Sequence, residues 1–80
     1  MYHVYILASL KDTTKGYIGM TADVETRLRE HNQSRSTYSK QYAPWELRTR
    51  IGFADEKRAR AFEAYLKSGS GFAFMKKRLL

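Results

Sequence analysis

The chain has 80 residues, no cysteine and a formal charge of +7, from fifteen Lys and Arg against eight Asp and Glu. That length predicts one small domain with a modest core, and the lack of cysteine excludes a disulfide framework or a thiolate zinc site. No stretch approaches the roughly 20 apolar residues of a membrane span, and the first residues lack the basic region and long apolar run of a secretory signal, so a cytoplasmic protein is the simplest expectation.

Tyr2 to Leu7 reads as the first strand. Tyr2, Val4 and Ile6 alternate with His3, Tyr5 and Leu7, so the two sets point to opposite faces. Both faces are largely apolar, which predicts a central strand. Ser9 to Gly16 is a polar hairpin loop. Tyr17 to Met20 returns as a short antiparallel strand, with Tyr17 and Gly19 on one face and Ile18 and Met20 on the other. Asp23 stands where a helix N-cap belongs. The helix from Val24 to Asn32 or Gln33 repeats Val24, Arg27, Leu28 and His31 along one stripe. Two polar residues on that stripe are more than a plain core helix needs.

Residues 34–44 carry small hydroxyls, scattered bases and tyrosines, and read as a loop closed by Pro44. Trp45 to Phe53 alternates cleanly: Trp45, Leu47, Thr49, Ile51 and Phe53 face one way, Glu46, Arg48 and Arg50 the other. This predicts a half-buried edge strand. Ala54-Asp55-Glu56 opens a helix, with acids at the positive end of its dipole. It runs to about Ser68 and is stopped by Gly69 and Gly71. Ala59, Phe62 and Leu66 make its apolar stripe, with Glu63 beside it. Phe72 to Leu79 is a last short basic helix. The order β-β-α-β-α-α predicts an α+β fold: a three-stranded antiparallel sheet flanked by helices around one core.

The charge is unevenly spread. Residues 1–32 carry four basic and four acidic side chains, residues 33–80 eleven and four. A one-sided excess favours a polyanion, nucleic acid first and an anionic membrane surface second. The bland alternative is a basic protein that binds nothing specific. Arg35, Tyr38 and Lys40 in the loop, Lys67 on the second long helix, and Lys76 and Lys77 on the last one are candidate nucleic-acid contacts.

Among the carboxylates, Glu63 stands apart at the margin of an apolar stripe, where desolvation is costly without a partner. One reading is an ion pair with Lys67 at i+4. The other is a ligand for a hard divalent cation such as Mg²⁺ or Mn²⁺. Tyr5 and Tyr17 are either strand packing or, beside positive charge, a general base. Arg27 is either a phosphate clamp or an ion-pair partner of Asp23. His31 is either a proton shuttle or a helix C-terminal cap.

Together these residues resemble the GIY-YIG nuclease superfamily. His3-Val4-Tyr5 stands at the first signature triplet, with the tyrosine kept, and Tyr17-Ile18-Gly19 matches the second triplet as written. Asp23 to Asn32 is similar to the helix that carries the family's arginine and, four residues on, its histidine or tyrosine. Phe62 to Gly69 is similar to the later helix with a single metal-binding glutamate. The Gly-Ser-Gly-Phe-Ala-Phe-Met-Lys-Lys-Arg-Leu ending is similar to small standalone bacterial members.

The resemblance implies a divalent-metal-dependent endonuclease acting on nucleic acid, DNA before RNA. Glu63 would hold the metal and Tyr17 would be the general base. Arg27 would stabilise charge growing on phosphorus, Tyr5 would orient the water or the base, and His31 would bind phosphate or assist proton transfer. Three positions depart from the pattern. His3 replaces a glycine, Met20 stands where many members carry a lysine, and Ser68 to Phe72 offers no asparagine. No separate DNA-binding domain accompanies these motifs, which implies low sequence specificity or recruitment by a partner protein. A binding module without catalysis and a protein-interaction adaptor are the competing readings.

Overall fold

The structure is a computed structural model and describes residues 1–33 and 37–79, at Thr37 the backbone alone. Its elements are β1 (Tyr2–Ser9), β2 (Gly16–Thr21), α1 (Val24–Asn32), α2 (Thr37–Gln41), β3 (Trp45–Phe53), α3 (Glu56–Leu66) and α4 (Gly69–Arg78). The three strands form one antiparallel sheet in the order β2-β1-β3. β1 is therefore central, as its two apolar faces predict. None of the helices among the described residues is long and apolar enough to cross a membrane.

The sheet separates two apolar clusters where one core was expected. Val4 and Ile6 meet Ala59, Leu66 and Met75 from α3 and α4, with Ile18 and Met20 packed alongside. On the other face Tyr5 and Leu7 meet Val24 and Trp45, with Tyr17, Leu28 and Leu47 alongside. The alternation along β1 and β2 sorts these residues as the period-2 rule requires.

β3 departs from the expected alternation. Its register with β1 shifts between Ile6 and Leu7: Ile6 opposes Thr49, whereas Leu7 opposes Leu47. Arg48 is the extra residue of a β-bulge, which reverses the faces on either side of it. Trp45 and Leu47 thus join the α1 cluster, while Phe53 joins the α3 and α4 cluster. The five residues do not share a face, because one added residue inverts a period of two.

α1 starts where the sequence places it. Asp23 accepts the Thr26 backbone N–H at 3.1 Å and the Thr26 hydroxyl at 2.7 Å. The expected loop over 34–44 contains α2, a short helix over Thr37–Gln41. It is held by tertiary contacts rather than by helix propensity: the Trp45 indole N–H donates to the Ser39 carbonyl at 2.9 Å, and the Tyr38 hydroxyl donates to the Gly16 carbonyl at 2.9 Å.

The C-terminal helices also differ from the expected bounds. Gly69 and Gly71 do not stop a helix but open α4. The Ser68 hydroxyl accepts the Gly71 N–H at 3.3 Å, an N-cap. A Cβ at Gly71 would collide with the Tyr65 carbonyl, so glycine there lets α4 begin against the end of α3. On α4 Phe72 is 51% exposed, whereas Met75 is buried.

Candidate active site

β2 presents Tyr17 on the face that β1 gives to Tyr5, because Gly19 opposes Tyr5 and Tyr17 opposes Leu7. The two phenol rings stack with centroids 6.2 Å apart. α1 crosses this face and directs His31 inward, its ring centroid 4.3 Å from that of Tyr17. The Tyr5 hydroxyl and His31 Nε2 share a buried hydrogen bond of 3.1 Å. On the far side of the imidazole, Nδ1 lies 3.2 Å from the Ser39 hydroxyl. His31 is not the helix C-cap. Gln33 fills that position, with its backbone N–H directed to the carbonyls of Arg29 and His31.

The two tyrosines differ in environment. Tyr5 is 2% exposed. Burial pushes its phenol well above its ordinary value, and neighbouring Tyr17 adds to the shift. Tyr5 is therefore a neutral hydroxyl at any physiological pH. Tyr17 is only half-buried and lines an open groove. Burial also pulls the His31 pKa down, with the Arg27 charge acting in the same direction, which favours the neutral imidazole.

Arg27 sits one helical turn before His31 and lines the same groove. Its Nη1 lies 3.5 Å from the Glu30 carboxylate, and both side chains are about half exposed. Asp23 is not its partner, because that carboxylate is spent on capping.

Glu63 belongs to α3, which packs across β1 and β2. Its charge reaches Tyr5 and contributes to raising the phenol pKa. Its Oε2 accepts from Lys67 Nζ at 3.2 Å, with the carboxylate side chain 22% exposed. The ion-pair reading of Glu63 is thus realised. An exposed i,i+4 pair is worth well under ~1 kcal/mol, so it leaves the carboxylate free to change partners. Among the described residues no group of three or more His, Cys, Asp and Glu converges on one point. A single carboxylate cannot cage a metal alone. Its chemistry suits a hard divalent ion that keeps its waters and takes the remaining ligands from a substrate phosphate, but Glu63 does not itself line the groove that Tyr17, Arg27 and His31 line.

The groove has a volume of about 1060 Å³ and wraps the Gly16 end of edge strand β2. Tyr17, Arg27, His31 and Tyr38 line it on one side; Lys67, Phe72 and Lys76 line it on the other. Lys15, Arg27, Arg48, Lys67 and Lys76 give it five cations, against one carboxylate from Glu30.

The family model for the GIY-YIG catalytic domain matches residues 1–78. The chain belongs to the GIY-YIG family. No curated protein is a significant match.

The expected contacts of this GIY-YIG domain divide by position. Lys67, Lys76 and Tyr38 line the groove, and the Lys76 ammonium lies 5.6 Å from the Phe72 ring centre. Tyr38 also stacks on Trp45, with centroids 5.8 Å apart. Lys40 and Lys77 are exposed outside the groove, and Arg35 lies outside the described residues. Lys15 and Arg48 line the groove without having been singled out. Lys15 immediately precedes Gly16-Tyr17, and that adjacency was a usable signal; Arg48 is placed by the bulge, which has none.

The departures from the family pattern also acquire positions. His3 pairs with Gly52 across β1 and β3, and a Cβ at Gly52 would collide with Met1 Sδ at 2.5 Å and meet the His3 ring at 3.3 Å. The side chains of Met1 and His3 thus both lie over the space left by this glycine. Met20 packs in the α3 and α4 cluster, on the face opposite Tyr17.

Proposed function

We propose that this GIY-YIG domain is a divalent-metal-dependent endonuclease that hydrolyses phosphodiester bonds in DNA. The observation that carries this reading is the Tyr17–His31–Tyr5 cluster beside Arg27, at the edge of a groove with five cations and one carboxylate. A polyanionic strand is the substrate such a groove attracts.

Of the two strand tyrosines Tyr17 lines the groove and Tyr5 does not, and Tyr17 takes the role of general base toward a water. Tyr5 is buried and neutral, and its hydroxyl orients the water or the Tyr17 phenol. Arg27 leaves its exposed pair with Glu30 at little cost and clamps the phosphate with its planar fork, where charge grows in the transition state. His31 acts through Tyr5, since both its ring nitrogens face hydroxyls. Glu63 would hold a Mg²⁺ or Mn²⁺ ion, which when bound polarises the phosphate and stabilises the leaving oxygen.

The test is cleavage of labelled single-stranded, duplex and branched DNA, and of RNA, with Mn²⁺, Mg²⁺ or EDTA. Glu63→Gln and Arg27→Ala are run beside the native chain. Metal-dependent cutting is expected from the native protein, lost in Glu63→Gln and reduced by roughly 10²–10³-fold in Arg27→Ala. Equal binding by all three proteins with no cutting would overturn the enzyme and leave a binding module.

A further inference from the structure

One buried hydroxyl touches the site without a role in the chemistry above. Ser39 is 4% exposed, and its Oγ lies 3.2 Å from His31 Nδ1. Its place does not depend on its own side chain. The Ser39 carbonyl accepts the indole N–H of Trp45 at 2.9 Å, and Trp45 is itself 3% exposed. The neighbouring Tyr38 is tied to the Gly16 carbonyl. The backbone thus carries the hydroxyl to the imidazole.

A neutral imidazole has one N–H and one bare nitrogen. Here each nitrogen faces a hydroxyl, the Tyr5 phenol at Nε2 and the Ser39 alcohol at Nδ1. Two arrangements satisfy both bonds. In the first, Nδ1–H donates to Ser39 and Tyr5 O–H donates to Nε2. In the second, every direction is reversed. A phenol is a stronger acid than an alcohol and the better donor; an alcohol oxygen is more basic and the better acceptor. Both preferences select the first arrangement. His31 is 8% exposed, and each of its ring nitrogens already has one of these hydroxyls as partner.

We propose that Ser39 is a positioning residue that holds His31 as the Nδ1–H tautomer. The partner of one ring nitrogen decides the state of the other. With Nδ1–H given to Ser39, Nε2 is an acceptor, and the Tyr5 proton is engaged there. The Tyr5 oxygen then keeps its lone pairs for a neighbouring donor, such as the hydroxyl of Tyr17, whose ring stacks on it. Free histidine in water favours the opposite tautomer, Nε2–H. Loss of the Ser39 hydroxyl releases the ring toward that form. Nε2–H then donates to the Tyr5 oxygen, and the Tyr5 proton turns outward. The catalytic consequence rests on the hydrolysis proposed above; the tautomer does not.

The experiment is ¹⁵N NMR of the imidazole in the native chain, Ser39→Ala and Ser39→Thr, at a pH where His31 is neutral. The native spectrum is expected to show a protonated Nδ1 and a bare Nε2. Ser39→Ala is expected to move the ring toward Nε2–H, and Ser39→Thr to keep the native state. Cleavage in parallel is expected to lose roughly 10–100-fold in kcat in Ser39→Ala, with KM retained and kcat recovered in Ser39→Thr. If Ser39→Ala does not fold, Ser39→Cys keeps the volume with a poor acceptor and carries the same expectation. A native ring in the Nε2–H form, or an unchanged tautomer in Ser39→Ala or Ser39→Cys, overturns the proposal. A native chain that cuts nothing overturns the hydrolysis and leaves the spectra to decide on Ser39.

Discussion

Gly19 lies opposite Tyr5 in the β1–β2 pair, and a Cβ at Gly19 would stand 2.5 Å from the Tyr5 hydroxyl oxygen and 2.6 Å from Cζ. The phenol ring therefore occupies the space a side chain on β2 would fill. The glycine of the second triplet is explained by this contact: its missing Cβ lets Tyr5 lie flat across the strand and reach His31.

Gly19→Ala should therefore act through Tyr5. The ring is 2% exposed and its hydroxyl is bonded to His31, so it cannot swing aside as a surface side chain would. Overpacking of this kind costs about 1–3 kcal/mol. Urea titration should show that loss, and the His31–Tyr5 hydrogen bond should weaken in the same variant. Native stability with an intact bond would show that the ring yields freely.

His31 makes stability depend on pH. Its folded pKa is depressed below the unfolded value near 6.5. Above that value the ring is neutral in both states and contributes no pH dependence. As pH falls below it, the unfolded chain binds the proton first, so stability falls until the folded pKa is reached. Carboxylates with depressed pKa, such as the capping Asp23, lose their contribution only at lower pH, below their unfolded values. Thermal melts from pH ~7.5 to ~5 should show Tm declining through the upper window, and His31→Gln should flatten that decline. An equal decline in His31→Gln would assign it to other groups.

Lys76 and Lys77 are adjacent in sequence but not equivalent in space. Lys76 lines the groove and Lys77 does not. If the groove carries the strand, Lys76→Ala should weaken binding and lower the slope of log K against log salt by about 1. Lys77→Ala should change the slope much less. Both lie exposed on α4, so stability should stay within about 0.5 kcal/mol in either. Fluorescence anisotropy across a salt series reads the comparison; identical slopes would move the interface off the groove.

The sequence by itself determined whatever follows a local rule. Period-2 alternation separated Tyr5 from Val4 on β1 and Tyr17 from Met20 on β2, because successive strand residues cannot share a side; that Tyr5 and Tyr17 share a face follows from the β1–β2 register. Asp23 announced the start of α1 because a carboxylate there meets orphan amides. Helical spacing placed Arg27 and His31 one turn apart. What only the tertiary structure decided involves partners distant in the chain. The bulge at Arg48 divides β3 between two clusters, and no residue in Trp45–Phe53 signals it, since the shift is a property of pairing with β1. Gly69 and Gly71 read as a helix stop until α4 is seen to start against the Tyr65 carbonyl. Ser39 is one hydroxyl in a polar run, indistinguishable from its neighbours until Trp45 and α1 enclose it. His31 was legible as a site residue, but its enclosure between two hydroxyls was not. Burial arises from packing among α1, α2 and the sheet, and that packing makes its tautomer a matter of structure rather than of composition.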